Sequence, residues 1–513
     1  MTQAPVVIIK NQKTSRMSLL SSLSARLSGK KKIESELYFV ITYMFGVATS
    51  YSSLEEMFGY VARSEFKNCA RIFERIKVLA KKWHIGFIRS IELTARTVRS
   101  KLLQDFLERF SQMLKTGDAY DRFLVMEHEA YVAGFEAEYD RCLKSVENLS
   151  DAYSAIVTSV IFITITITLT QALMSFGESK DVMTYFVIAI VATVFASVFA
   201  IYAVSPIDRF AYVNRELNIP KEFSRLNFVL PIAGICGFAA SIPCVLWRLG
   251  PEWFVMAFFM PMMVVGFMAK RADEAILRRE NAFPTFIRTL GTTAAITGYS
   301  TSRTLKLLLV RDFGVLSSPV RNLYAKLDIG AEQGLCWRNL ASQCGSEMIR
   351  IFSGIYSATT FLGGDPAEIG KMISRNMIRM LVMRAKRIQI ANGIKAMIYP
   401  LHTIQCTLLA FMTGLLSVLI RMVSLGSSYM DIFKSSLSPA TVGALFFFVS
   451  VVMAFANALA IKTVDLGSRY KWLYYLSILM VITGVTWVGA TYTVKYLFTD
   501  LFNFKFMGDK VGP

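Results

Sequence analysis

Two hydrophobic patterns alternate along the chain. Over residues 34–151 and again over 270–395, apolar side chains recur every third or fourth position between charged ones. Phe66, Ala70, Phe73, Ile76, Leu79 and Ala80 form one such stripe; Leu102, Leu103, Phe106, Leu107, Phe110 and Leu114 form a second; Met348, Ile351, Phe352, Ile355 and Phe361 form a third. That period is helical, and no alternating strand pattern interrupts it, so each stretch predicts a bundle of amphipathic helices whose stripes are core packing. The second pattern is an unbroken apolar run long enough to cross a bilayer as a helix. It occurs at about 152–174, 182–204, 226–247, 252–269, 396–420, 441–461 and 473–494, with Pro231, Pro243 and Pro261 inside the third and fourth runs.

The patterned stretches repeat. Tyr51-Ser52-Ser53-Leu54 is answered by Tyr299-Ser300-Thr301-Ser302, 248 residues later, and Lys115-Thr116-Gly117-Asp118 by Leu362-Gly363-Gly364-Asp365, 247 residues later. A common offset held over so long a window reads as duplication. The expected fold class is therefore an all-α integral membrane protein with two duplicated cytoplasmic helical bundles and about seven transmembrane helices. Its segments are a basic tail at 1–33, a first helical domain at 34–151, four spans with a short connection at 152–269, a second helical domain at 270–395, three spans at 396–494 and a tail at 495–513.

Composition agrees with lipid as the solvent for part of the chain, since 54% of residues are hydrophobic and the mean hydropathy is +0.45. Charge then orients it. Residues 1–151 hold 23 Lys or Arg against 18 Asp or Glu, and residues 270–395 hold 19 against 9, whereas the turns 175–181, 248–251 and 421–438 hold only Lys180, Arg248, Arg421 and Lys434. The positive-inside rule places both patterned stretches and the N-terminus in the cytoplasm of a multi-pass cell-membrane protein, and an odd number of spans places the C-terminus outside. The run Val6–Ile9 is too short for a secretory signal. Leu19, Leu20, Leu23 and Leu27 ahead of Lys30, Lys31 and Lys32 could lie on an anionic membrane surface, the plainer alternative being a solvated tail.

Little in the chain calls for catalysis. Seven cysteines are scattered without a Cys-x-x-Cys pair, and the three histidines, His84, His128 and His402, lack a ligand partner at one-turn spacing. His402, beside Gln405 in a span, reads as a hydrogen-bonded core residue sooner than as a proton relay. The string Gly364 to Met372 resembles a phosphate loop, but it has five residues between its glycines and Met372 where magnesium needs a hydroxyl. It reads better as a tight turn between helices: Gly363 and Gly364 end one helix left-handed, and Asp365 and Pro366 start the next. Gly117 and Asp118 repeat the device. No cofactor, metal or nucleic acid is expected, and the chain is not expected to be an enzyme.

The helix after each turn carries a strong charge bias of its own. From Asp118 to Asp151, nine acids, among them Glu129, Glu136 and Glu138, face three bases; from Asp365 to Lys395, seven bases, among them Arg375, Arg379, Arg384, Lys386 and Arg387, face two acids. Each helix leads into a span without a breaker. Opposite charge invites the two to pair, the alternative being two separately solvated faces.

Two helical cytoplasmic domains, each closed by a Gly-Asp turn and leading into membrane helices, resemble the type II secretion system F family, and the extra spans between the copies are similar to its archaeal members, the platform proteins of type IV pili and of the archaellum. The resemblance covers residues 34–174 and 281–420 and is carried by Glu36 to Tyr51 with Leu54, Phe283 to Tyr299 and the two turns. The first copy departs from it in lacking a glycine before Tyr51 where the second has Gly298, which implies a differently built first turn. The resemblance implies a membrane platform for assembling an archaeal pilus or archaellum. Its partners would be a cytoplasmic hexameric secretion ATPase, pilin or archaellin subunits, the lipid bilayer and a second copy of the chain in a homodimer. On this chain Arg375, Arg379, Arg384, Lys386 and Arg387 are the candidate ATPase contacts. A multi-span transporter or membrane sensor with duplicated halves is the alternative; spans nearly free of charge count against the transporter and short outer loops against the sensor.

Overall fold

The computed structural model describes residues 33–50, 53–98, 100–173, 179–213, 220–247, 249–298, 300–425 and 439–508. The basic tail with Leu19 to Lys32, Tyr51, Ser52, Tyr299, most of the 421–438 turn and the last five residues lie outside this set. Among the described residues the structure is helical, with one isolated antiparallel bridge between Ala211 and Ser346. Seven helices are long and apolar enough to cross a membrane. The chain divides into two compact units. One comprises residues 1–141, 206–219 and 276–383; the other comprises 142–205, 220–275 and 384–513. Both patterned stretches thus contribute to a single unit, together with the short connection at 206–219.

The first unit, here the helical unit, begins with α1 (33–48), followed by α2 (Leu54–Ala62), α3 (Lys67–Lys81), α4 (Phe87–Ala95) and α5 (Lys101–Thr116), and it takes the start of α6 (Tyr120–Leu173). A capping box of Ser53 and Glu56 starts α2. The predicted stripes are the core: Ala70, Phe73, Ile76 and Ala80 of α3, and Leu103, Phe106, Leu107 and Phe110 of α5, are buried. Phe58 centres this half, with Phe73, Phe87 and Phe110 all within 5.7 Å of its ring centroid.

A second series of helices follows. Beyond α7 (Ser179–Val204) and α8 (Lys221–Leu246), helix α9 (Pro251–Ile296) enters the helical unit at Ile276. Then come α10 (Thr301–Leu308), a 3₁₀ turn, α11 (Ser317–Asp328), α12 (Gln333–Cys344), α13 (Glu347–Phe361) and the start of α14 (Pro366–Leu425). The hydroxyls of Ser100 and Ser346 cap α5 and α13 alike, accepting from the backbone N–H of Leu103 and Ile349. The third stripe is corrected at one position: Phe361 is 78% exposed, because α13 is ending there and its last turn faces out. The connection at 206–213 is stitched to the α12–α13 turn, Tyr212 N–H donating to Gly345 O at 2.9 Å and Glu347 N–H to Phe210 O at 3.2 Å.

The second unit contains the apolar parts of α6, α9 and α14 with α7, α8, α15 (Pro439–Val464) and α16 (Lys471–Gly508). Its centre is α15, where Ala454, Ala456, Ala458 and Ala460 are buried and let α7 and α16 approach closely. Helices α8 and α9 run through Pro231, Pro243 and Pro261 without a break. His402 is a hydrogen-bonded core residue: its Nε2 lies 2.9 Å from Thr483 Oγ1, and its Nδ1 lies 3.3 Å from the amide of Asn457, whose oxygen accepts from Tyr153 at 2.5 Å. At the α15–α16 turn two buried carboxylates find partners, one in ion pairs and one in a backbone hydrogen bond. Asp465 meets Lys395 at 3.0 Å and Lys471 at 2.8 Å, and Asp273 accepts from Ser468 N–H at 2.9 Å.

Candidate interaction surface

The two turns expected from the sequence are both present, the first on Gly117 as expected and the second with only one of its two glycines left-handed. Gly117 is left-handed, φ +74°, and ends α5; Asp118 accepts from the Thr116 hydroxyl at 2.7 Å. In the second turn the left-handed residue is Gly363, φ +89°. Gly364 is there for space, since a Cβ would come within 2.8 Å of Ile369 and 2.9 Å of Thr49 Oγ1. Asp365 caps α14 by accepting from Ala367 N–H at 2.9 Å. Gly370, the other glycine of the phosphate-loop lookalike, is needed where α14 crosses α9: a Cβ on it would stand 2.9 Å from Ile287 O and 3.2 Å from Gly291 Cα. The turns after α1 and α9 do differ. Gly298 is left-handed, φ +73°, whereas in the first the hydroxyls of Thr49 and Ser50 bond back to Gly46 O and Val47 O.

These turns start α6 and α14 side by side. Arg375 pairs with Glu129 at 3.1 Å and Arg379 approaches Glu136 at 3.8 Å, so the oppositely charged helices meet within one chain. Glu138 instead faces Arg141 one turn away on its own helix. Beneath the ion pairs lies a buried polar cluster that sequence reasoning missed. Asn376 donates to His128 Nε2 at 2.8 Å and to Thr42 Oγ1 at 3.1 Å, while Tyr38 donates to Asn376 O at 3.1 Å. Burial, with Glu136 nearby, pushes the Tyr38 phenol far above its ordinary value, so it stays a neutral donor. Arg350 ties the halves again, bridging Glu65 of the first to Glu347 of its own helix. Burial alone would weaken its proton affinity, but these two carboxylates outweigh it and raise the guanidinium above its ordinary value.

The five cations expected at a docking surface separate by exposure. Arg375 and Lys386 are exposed and Arg379 is half-buried. Arg384 and Arg387 are corrected: they are 2% and 6% exposed, and Arg387 spends its guanidinium on the carbonyls of Val464 at 2.7 Å and Thr463 at 3.2 Å, which cap the end of α15. A partner cannot reach them. Exposed apolar side chains also occur on these two helices, Met126 on α6 and Ile378 and Val382 on α14. Among the described residues no group of three or more His, Cys, Asp or Glu is placed to hold a metal ion.

No protein-family model matches the chain, and no solved structure matches it. Two curated proteins do. The chain is 26% identical over 392 residues to "Flagella accessory protein J" of Methanococcus voltae, covering 73% of this chain and 69% of the relative. It is 24% identical over 501 residues to the protein of the same name from Methanocaldococcus jannaschii, covering 90% of this chain and 85% of the relative.

Proposed function

We propose that this chain is the membrane platform on which an archaellum, a filament built like a type IV pilus, is assembled. In this reading the two series of helices, α1–α6 and α9–α14, are copies of one bundle and lie in the cytoplasm with the N-terminus. A hexameric secretion ATPase docks on them through Arg375, Arg379 and Lys386, filament subunits enter from the bilayer around the spans, and two chains act as a homodimer. No step requires the chain to be an enzyme. The observation that carries the reading is the pairing of α6 with α14, since each starts at a Gly-Asp turn, meets the other through opposite charge and continues as one helix into an apolar run. A pair of such helices converts movement of the bundles into movement at the membrane. The names of the two relatives favour the archaellum over an adhesive pilus.

The test replaces the chromosomal gene with a Lys386→Glu, Arg375→Glu version and, separately, deletes it. Deletion abolishes filaments and swimming. The charge-reversed chain inserts normally but no longer co-purifies with the ATPase. Filaments in the deletion strain would end the platform reading, and undiminished co-purification would end the docking assignment.

A further inference from the structure

The helical unit holds a cleft of about 490 Å³ with walls from both halves of its fold, Tyr43, Arg63 and Phe66 from the first and Trp337, Arg338 and Phe361 from the second. A volume of this order takes one or two large side chains. Two features of the cleft bear on what it could hold. Phe361, in the last turn of α13, is a 78% exposed ring in its lining. Arg63 and Arg338 are exposed and enter no salt bridge among the described residues. Of the two acids in the lining, Glu65 is already engaged by Arg350, leaving Glu332 against two guanidiniums.

We infer that this cleft is a docking site for a protein partner's acidic segment that carries one large apolar side chain. The apolar anchor covers Phe361 and the aromatic wall, and the forked guanidiniums of Arg63 and Arg338 match carboxylates in two-pronged geometry. A small inorganic anion would leave the mostly apolar wall wet, and a basic segment would meet two unpaired cations. None of Arg375, Arg379 and Lys386 lines the cleft, which draws on α1, α2, α12 and α13. Its bridging position, with the Glu65–Arg350 ion pair in its wall, makes the arrangement of the two halves sensitive to whether it is filled.

The experiment places the photo-reactive p-benzoylphenylalanine at position 361 of the full chain in its native membrane and maps the cross-linked peptide by mass spectrometry. Expected is one segment with acidic residues beside a large apolar one, captured at least fivefold less in an Arg63→Glu, Arg338→Glu background. The same segment, synthesised and titrated against the purified full chain, binds at least tenfold more weakly to the reversed variant. All three positions are exposed, so gel filtration and the unfolding midpoint of the variants stay unchanged. Capture of lipid, of a second copy of this chain or of a segment without acids overturns the proposal. So does capture indifferent to the charge reversal, or a small molecule retained in the cleft on native mass measurement.

Discussion

Asn376 stands 2.8 Å from His128, amide nitrogen to Nε2, and that one contact joins the two halves of the helical unit at a buried point. Because the amide donates, Nε2 must present its lone pair, which fixes a neutral ring protonated at Nδ1. Removing the donor takes the 2.8 Å partner from His128 Nε2 in a buried site, while Thr42 keeps its bond to Tyr38 O at 2.9 Å. Asn376→Ala should cost about 1–3 kcal/mol, whereas Arg375→Ala, one residue away in an exposed pair, should cost less than about 1 kcal/mol. Unfolding midpoints of the detergent-solubilised chain compare the two directly. Equal effects would mean the cluster contributes no more than a surface contact.

Charge pairing of α6 with α14 makes a functional prediction distinct from stability. Glu129→Lys with Glu136→Lys should lower filament number while leaving the melting temperature within a few degrees. Adding Arg375→Glu and Arg379→Glu to the same chain should restore the contact between α6 and α14, read as disulfide cross-linking of cysteines placed on the two helices, but not ATPase docking, which uses the same two arginines. A quadruple variant no better than the double would leave the two helices as independently solvated faces.

Three glycines should respond to alanine with different signs. At Gly291 a Cβ would lie 2.2 Å from Pro366 O and 3.2 Å from Gly370 Cα, backbone that cannot step aside, so about 1–3 kcal/mol or more is lost. At Gly117 a Cβ meets nothing within 4 Å but φ is +74°, which costs about 1–2 kcal/mol. Gly354 is mid-helix with open space around it, and alanine there should stabilise by about 0.5–1 kcal/mol. The ranking is read from midpoint shifts of the three single variants.

Alkaline pH should destabilise the fold through Cys344. Burial pushes its thiol up from an ordinary 9.0 to about 12, with Glu280 adding to the rise and Arg279 opposing it. The unfolded thiol therefore ionises first, so the contribution is intact below about pH 9 and is lost as pH climbs towards 12. Cys344→Ala should remove part of that loss, flattening the fall in unfolding midpoint over that range. A slope unchanged by the substitution would assign the alkaline loss to other groups.

The orientation expected from the cations is open to a direct check. A reporter active only in the cytoplasm should be silent when joined after Gly508 and active when inserted in the turn after α2. The reverse pattern would invert the assignment of both patterned stretches.

What could be foreseen follows from whether a residue's partner is local. The spans, the stripes of α3 and α5 and the cap at Asp365 depend on neighbours three or four positions away, and they stand where periodicity puts them. His128 and Asn376 depend on each other across 248 residues, and neither sits in a pattern that singles it out. Arg387 failed for a related reason. A cation on a charged helix is ordinarily solvated, and only the arrival of α15, with Val464 and Thr463 offering their end carbonyls, turns a surface charge into a buried cap. The difference at the second turn is smaller: of the two adjacent glycines only Gly363 is left-handed, and Gly364 is required for space against Thr49 of the other half.

The long reach of the Thr42 contact also sets a timetable. The ribosome must add 334 residues after Thr42 before Asn376 exists, a wait of roughly 15–70 s at 5–20 residues per second, and four apolar helices are made in the meantime. For that interval α1 has no second half to close over it, with Tyr38 and Thr42 still facing water or a chaperone. A nascent chain arrested before α14 should therefore be cut by protease within α1, and protection should begin only once α14 has emerged.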